Sequence, residues 1–388
     1  MIKKIIKSCA FFLIFMVMFR VVGKAFIVMD NVDTVNIDGF LHERKDSVDV
    51  VLMGQSEIYR GFAPGLAWKE YGIKSVDFSV GDSPCSQYIS MLREVLKRQN
   101  PKLLVVNAST FLHGDENLDD EVLLRKWIDN MPEGTDKINT INTTMADTIR
   151  DNTIVSMGKY HGNWKYPDKV LTSFCLRAHL FFNKGGYLKG FYTRSQTTGG
   201  RDKLAEIGWP TQEEYILTER CEKYLRNFLQ YCRENKVNNM LMIVPPHETM
   251  ATKTDGIEKM KAIVDEYGYD FEDYHDNYEK CGIDDTTDFG DYEHLNSYGA
   301  EKFTSYLGKY MIDNYDVKTD TSNKDIEYWD ECASKTDEVI ELSKKKYCFG
   351  YKPWLWGSKH NICGEVVSFN KTDHRIILCF KTYKYVIK

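Results

Sequence analysis

Between residues 48 and 107 short apolar runs alternate with amphipathic stretches. Val48-Asp-Val-Val-Leu-Met53 has polar residues before it and Gly54 after it. That is the pattern of a strand covered on both faces in a parallel sheet. Gly61 to Tyr71 reads as a helix with Pro64 near its start, where proline is tolerated. Lys74 to Val80 reads as a second strand, and Tyr88 to Gln99 as an amphipathic helix that stops before Asn100-Pro101. Lys102 to Asn107 makes a third strand. The order βαβαβ implies right-handed crossovers and a parallel sheet, so the expected fold class is α/β, a three-layer flavodoxin-like sheet between helices.

From about 112 to 212 the pattern loosens into helical stretches between Asp115 and Arg150 and a Gly, Thr and Ser-rich loop from Tyr187 to Arg201. This reads as an insertion over the active face of the sheet, where long loops carry substrate contacts. The rhythm returns with a helix from Thr211 to Asn235, a strand at Met240 to Val244 stopped by Pro245-Pro246, and helices at Gly256 to Tyr267 and about Ser297 to Tyr315. Asp316 to Lys324 is linker-like, Ile326 to Lys346 a charged helix, and the last forty residues a small antiparallel appendage. The expected division is an N-terminal segment (1–30), an α/β domain (31–315) and a C-terminal extension (316–388).

The N-terminal segment differs from the rest. Lys3, Lys4 and Lys7 precede an apolar run from Cys9 to Phe19, and Arg20 and Lys24 interrupt a second apolar piece ending near Met29. This is the layout of an export signal. Three readings are open: an uncleaved anchor spanning Ile5 to Met29 with Arg20 and Lys24 snorkelling, a signal peptide cleaved near Gly23-Lys-Ala25, or a buried helix. In the first two, residues beyond about 30 lie outside the cytoplasm, and the anchor makes the protein single-pass in the cell membrane.

With 388 residues, 43% of them hydrophobic, the chain can bury a sizeable core. Its net charge is −6 with both signs dispersed, which argues against nucleic acid as a partner. The ten cysteines are irregularly spaced and form no CxxC pair. A bridge between Cys363 and Cys379 is open if their segments pair as a hairpin, but spacing does not settle connectivity. His275-Asp276 offers two metal ligands, yet no second cluster of zinc spacing and no calcium loop accompanies it, so neither metal nor cofactor is expected.

Ser56 follows a buried strand and a glycine, and the carboxyl ends of parallel strands are where catalytic groups gather. Asp291 and His294 lie three residues apart before a helix. A serine hydroxyl is a weak nucleophile until an imidazole takes its proton, and a carboxylate fixes that imidazole's tautomer. The competing reading is a solvated loop, since Asp284, Asp285, Asp288 and Glu293 are nearby. His247, after Pro245-Pro246, can line the same cleft and bind substrate. Arg60 can bind an anionic polymer or pair with Glu57. Trp164, Trp209, Trp354 and Trp356 can stack on sugar rings or sit in the core.

Taken in order, Gly54-Gln-Ser56-Glu57, Ser79-Val-Gly81 and Asp291-Tyr-Glu-His294 resemble the blocks of the SGNH/GDSL hydrolase superfamily. The wording Met53-Gly-Gln-Ser-Glu-Ile-Tyr-Arg-Gly-Phe62 and His294-Leu-Asn-Ser-Tyr-Gly-Ala-Glu-Lys-Phe303 is similar to its membrane-anchored, extracytoplasmic branch. That branch includes D-alanyl-lipoteichoic acid transfer proteins and acetyltransferase-like proteins of exopolysaccharide clusters. The resemblance implies Ser56 as nucleophile, His294 as base, Asp291 as its orienter, and an oxyanion hole from the amides of Ser56 and Gly81. The family's third block, Gly-x-Asn-Asp, is absent. Strand three ends in Asn107-Ala-Ser109-Thr110, where Asn107 or Ser109 can replace the missing donor. Loss of one such donor costs about 100 to 1,000-fold in rate.

The expected function is therefore an extracytoplasmic serine O-acyltransferase or esterase acting on a cell-envelope polysaccharide or teichoic-acid-like polymer through an acyl-serine. A membrane-bound O-acyltransferase is the implied acyl-supplying partner. The other class of reading is a non-catalytic, membrane-anchored polymer-binding or assembly subunit that keeps the fold.

Overall fold

A computed structural model of the chain describes residues 2–29, 31–147, 150, 159–318, 325–344, 376–380 and 383–387. Its centre is a five-stranded parallel sheet of β1 (Val50–Gly54), β2 (Ser75–Ser79), β3 (Leu103–Asn107), β5 (Met240–Val244) and β7 (Asp270–Asp273), in the order β2-β1-β3-β5-β7. Counting only these five along the chain, the order is 2-1-3-4-5, that of a flavodoxin-like doubly wound sheet. Every residue of β1, β2, β3 and β5 is buried, which explains the continuous apolar runs of β1 and β5, while β2 carries the buried Asp77 and β3 ends in Asn107.

Alternate residues feed two cores. Val51, Met53, Leu104, Val106, Met240 and Met242 face α2 (Val32–His42), α5 (Tyr88–Arg98) and the helices Glu219–Glu234 and Asp255–Glu266. Val50, Leu52, Leu103, Val105, Leu241 and Ile243 face α3 (Ser56–Gly61), α4 (Pro64–Tyr71) and the helix Ser297–Asn314. These flanking layers leave the carboxyl ends of the strands as the ledge for chemistry. The order reverses between β1 and β3, so the crevice opens beside Gly54 and Asn107.

The insertion is mostly helical on its described part, with helices Glu121–Ile128, Thr135–Thr144, Pro167–Phe182 and Arg201–Glu206. Its Gly-rich loop straps the ledge. Asp77 of β2 donates its amide to the Lys189 carbonyl at 2.8 Å, Tyr192 donates to the Tyr59 carbonyl at 2.8 Å, and Ser297 donates to the Arg194 carbonyl at 2.8 Å. The strap thereby joins the element after β1 to the helix Ser297–Asn314. Gly190 makes its approach possible: its φ is +94°, and a Cβ there would lie 2.3 Å from the Asp77 carbonyl oxygen. Gly190→Ala is expected to destabilise the fold by about 2–4 kcal/mol, read as a lower midpoint in chemical denaturation.

Two sequence expectations change in position. The helix expected from Thr211 starts only at Glu219, because the Thr218 hydroxyl caps it by accepting from the Cys221 amide. Residues before it form β4 (Gln212–Glu214), paired in parallel with β6 (Met250–Lys253). The turn at Asp291 is a tight antiparallel pair, β8 (Phe289–Asp291) with β9 (His294–Leu295).

The N-terminal helix α1 (Ile2–Phe26) has a window of mean hydropathy 2.2, none of it buried, and is long and apolar enough to cross a membrane. It is not a buried core helix. Its end is tied to the domain: Lys24 pairs with Asp38 at 3.0 Å, and Asn163 donates to the Phe26 carbonyl at 2.7 Å.

The charged helix Ile326–Lys344 packs on α4, with Trp68 Nε1 donating to Asp330 at 2.9 Å. At the end of the chain, β10 (Ile376–Phe380) and β11 (Tyr383–Ile387) form an antiparallel hairpin. Cys363, Trp354 and Trp356 lie outside the described residues.

Candidate active site

The sharp exit from β1 aims Ser56. A Cβ on Gly54 would lie 2.5 Å from Asn107 Cβ and 2.7 Å from Ile58 Cγ1, so only glycine lets α3 turn away this close to β3. Ser56 then opens α3 with its side chain partly exposed on the ledge.

His294 arrives from the far end of the chain. Its Nε2 lies 2.7 Å from Ser56 Oγ, and its Nδ1 lies 2.5 Å from Asp291 Oδ1. The pair Asp291 and His294 is held by β8 and β9, and Asn296 beyond it caps the helix Ser297–Asn314 by accepting from the amides of Tyr298 and Gly299. The three side chains form one hydrogen-bonded series. With Nδ1–H donated to Asp291, Nε2 is left to accept the serine proton.

Burial lowers the His294 pKa and the Arg60 charge lowers it further, against the pull of Asp291, so the imidazole is neutral near pH 7 and free to accept a proton. Burial alone would raise the Asp291 carboxyl, but the His294 hydrogen bond and Arg60 hold it well below the usual carboxylate range. Between them, Glu293 is pushed up to about 7, by burial first and then by the Glu57 charge.

Arg60 is not on an open polymer-binding surface, nor is it paired with Glu57. It is 4% exposed and donates from Nη1 to Asp291 Oδ2 at 2.7 Å. It acts on the site through Asp291. Arg60→Gln removes a positive charge that disfavours imidazolium, so the His294 pKa rises and the acid limb of the acylation pH profile moves to higher pH. The rate at pH 6 is expected to fall several-fold, about 3 to 10, relative to the plateau above pH 8. An unshifted limb in a pH–rate series would contradict this role.

The expected oxyanion donors are unequally placed. The Gly81 amide donates to Asp33 Oδ1 at 2.7 Å, and the Gly81 carbonyl accepts from Lys126 Nζ at 2.8 Å. Asp33 therefore occupies that amide. Asn107 Oδ1 accepts from the Ser109 amide at 2.8 Å, while its buried Nδ2 has no hydrogen-bond partner among the described residues. A free donor at the end of the strand beside Gly54 suits a developing negative charge. The Ser109 hydroxyl is likewise buried without a partner among the described residues.

His247 is fully buried behind the ledge. Its Nδ1 lies 2.9 Å from Glu213 Oε2 and 3.2 Å from the Tyr215 hydroxyl, and its Nε2 lies 3.7 Å from Glu57 Oε1, an ion-pair separation rather than a hydrogen bond. Burial disfavours its imidazolium, but Glu213 and Glu57 outweigh this and push it up to about 10. His275 lies beside it, with ring centroids 5.5 Å apart. Sequence reading missed Glu213, and treated His247 and His275 separately. Trp209 packs edge-on to Tyr292 of the Asp291–His294 turn at 6.0 Å, and Trp164 is 64% exposed, remote in sequence from Ser56, Asp291 and His294.

No protein-family model and no curated protein matches the chain. Among solved structures, a gut microbial diltiazem-metabolizing enzyme aligns at 11% identity with a TM-score of 0.24, over 69% of this chain and 48% of that one. The chain thus spans about half the length of that protein, and a likeness this low carries no argument about function.

Proposed function

We propose that the protein is an extracytoplasmic serine O-acyltransferase or esterase of SGNH type, acting on a cell-envelope polysaccharide or teichoic-acid-like polymer through an acyl-Ser56 intermediate. One observation carries the reading: Ser56, His294 and Asp291 are joined by contacts of 2.7 and 2.5 Å, although Ser56 and His294 are 238 residues apart. A solvated acidic loop has no reason to deliver its histidine to a serine at the carboxyl end of β1.

In this mechanism Ser56 Oγ attacks the acyl carbonyl as its proton passes to His294 Nε2, and Asp291 stabilises the imidazolium. The Ser56 amide and Asn107 Nδ2 face the oxyanion. Collapse of the tetrahedral species breaks the bond to the leaving group, which takes the proton from His294. A polymer hydroxyl, or water, then gives its proton to the same nitrogen and attacks the acyl-serine, which releases the acylated product and restores Ser56. Incomplete oxyanion stabilisation slows both halves. It leaves transfer to a bound hydroxyl favoured where the polymer excludes water. The apolar α1 supports a membrane tether, and in this reading a membrane-bound O-acyltransferase supplies the acyl group.

A second reading, a polymer-binding subunit without catalysis, draws on the Gly81 amide held by Asp33 and on the absent third block. The two separate in one experiment on the full chain in detergent, given an activated acyl ester and envelope polysaccharide. Acyl groups reaching the polymer in wild type but not in Ser56→Ala support the transferase. Equal polymer binding by both proteins, with no acyl-enzyme in either, supports the binding subunit.

A further inference from the structure

We propose that Glu213, His247 and His275 form a zinc site next to the catalytic ledge. Each comes from a different place: Glu213 from β4, His247 from just beyond the carboxyl end of β5, and His275 from just beyond that of β7. One donor atom from each lies within 4.8 Å of the others. Glu213 Oε2 is 2.9 Å from His247 Nδ1 and 3.9 Å from His275 Nε2. A tetrahedral zinc with bonds of about 2.0–2.1 Å sets its donors roughly 3.3 Å apart, between these two separations. Two imidazoles and one carboxylate are a donor set that suits zinc and leaves a fourth position for water or a substrate atom.

The outer contacts repeat the same logic. Metal-binding imidazoles commonly present their second nitrogen to a carboxylate, which fixes the tautomer and raises ligand basicity. His275 Nδ1 lies 3.3 Å from Asp276 Oδ1, and His247 Nε2 lies 3.7 Å from Glu57 Oε1. Each histidine faces Glu213 with one nitrogen, while its other nitrogen lies at ion-pair distance from an outer carboxylate and makes no hydrogen bond among the described residues. The side chains of His247 and His275 are each 1% exposed, so every polar atom there needs a partner. Glu213 and Glu57 bring two carboxylates to His247, at 2.9 and 3.7 Å. Glu213, 16% exposed, and His113, 24% exposed and 3.7 Å from Glu213 Oε1, mark the entry side. Glu57 connects the site directly to Ser56, its neighbour in sequence.

The test uses the untagged full chain in detergent, stripped with a chelator, dialysed and titrated with Zn²⁺. The expected result is a single zinc per chain by elemental analysis and a Tm raised by about 4–8 °C at zinc near 100 times its Kd. Glu213→Gln and His275→Gln should lose the metal, and Asp276→Asn should weaken its binding about 10 to 100-fold with the ligands intact. Zinc uptake equal in wild type and in these variants, or none in wild type, overturns the proposal and leaves a metal-free ion-paired cluster. If a variant does not fold, Co²⁺ added to stripped wild type decides. Intense visible bands of a tetrahedral site support the proposal, and the weak spectrum of hydrated Co²⁺ overturns it.

Discussion

Ser56→Ala is expected to lower turnover of an activated ester by roughly 10⁴ to 10⁶-fold, because the acyl-enzyme route disappears with the hydroxyl while the ledge still binds substrate. The change should leave the fold intact. Ser56 is partly exposed, and its described side-chain contact is the hydrogen bond with His294, worth about 1 kcal/mol. Initial rates together with a Tm comparison check both halves. A variant that retains a tenth of the wild-type rate would show that Ser56 is not the nucleophile.

Asp291→Asn carries the second-largest expected loss. The asparagine keeps the shape but can present its amide to His294 Nδ1, which then carries its proton on Nε2, the wrong nitrogen for a base facing Ser56 at 2.7 Å. A rate loss of about 10³ to 10⁴ follows. The same substitution strips Arg60 of its 2.7 Å partner and leaves a guanidinium buried at 5% side-chain exposure, so stability should drop by about 3 kcal/mol. Stopped-flow acylation and chemical denaturation measure the two effects separately. Loss of stability with an unchanged acylation rate would make Asp291 a structural residue only.

The parts of this site that were legible in the sequence are those whose physics is local. The strands β1, β3 and β5 are covered on both faces, so apolar residues run through them without interruption up to Gly54, Asn107 and Val244. By contrast β7, Asp270-Phe-Glu-Asp273, is an edge strand with less cover than β2 at the other edge. Only Phe271 in it is buried, and its acidic composition gives no strand signal. Helix α2 was unreadable for the opposite reason. It is buried along most of its length, and its interior Asp38 is neutralised by Lys24 and Arg177 from outside the helix.

Within the site, the spacing of Asp291 and His294 and the placement of Ser56 after a strand identified three residues that the fold brings together. The role of Arg60 was hidden, because its partner lies 231 positions away. Nothing in the sequence signals that Asp33 reaches the Gly81 amide, since that contact depends on how α2 docks beside β2. The grouping of Glu213, His247 and His275 is likewise a product of strand order, as β5 and β7 become neighbours only in the folded sheet.

Whether His294 and Asp291 activate Ser56 is read by covalent trapping. The full chain is treated with a fluorophosphonate and digested, and the modified peptide is identified by mass spectrometry. The expected result is a phosphonyl group on Ser56 in wild type and none in His294→Ala under the same conditions. A wild-type protein left unmodified at Ser56, or equal labelling when His294 is removed, would contradict it.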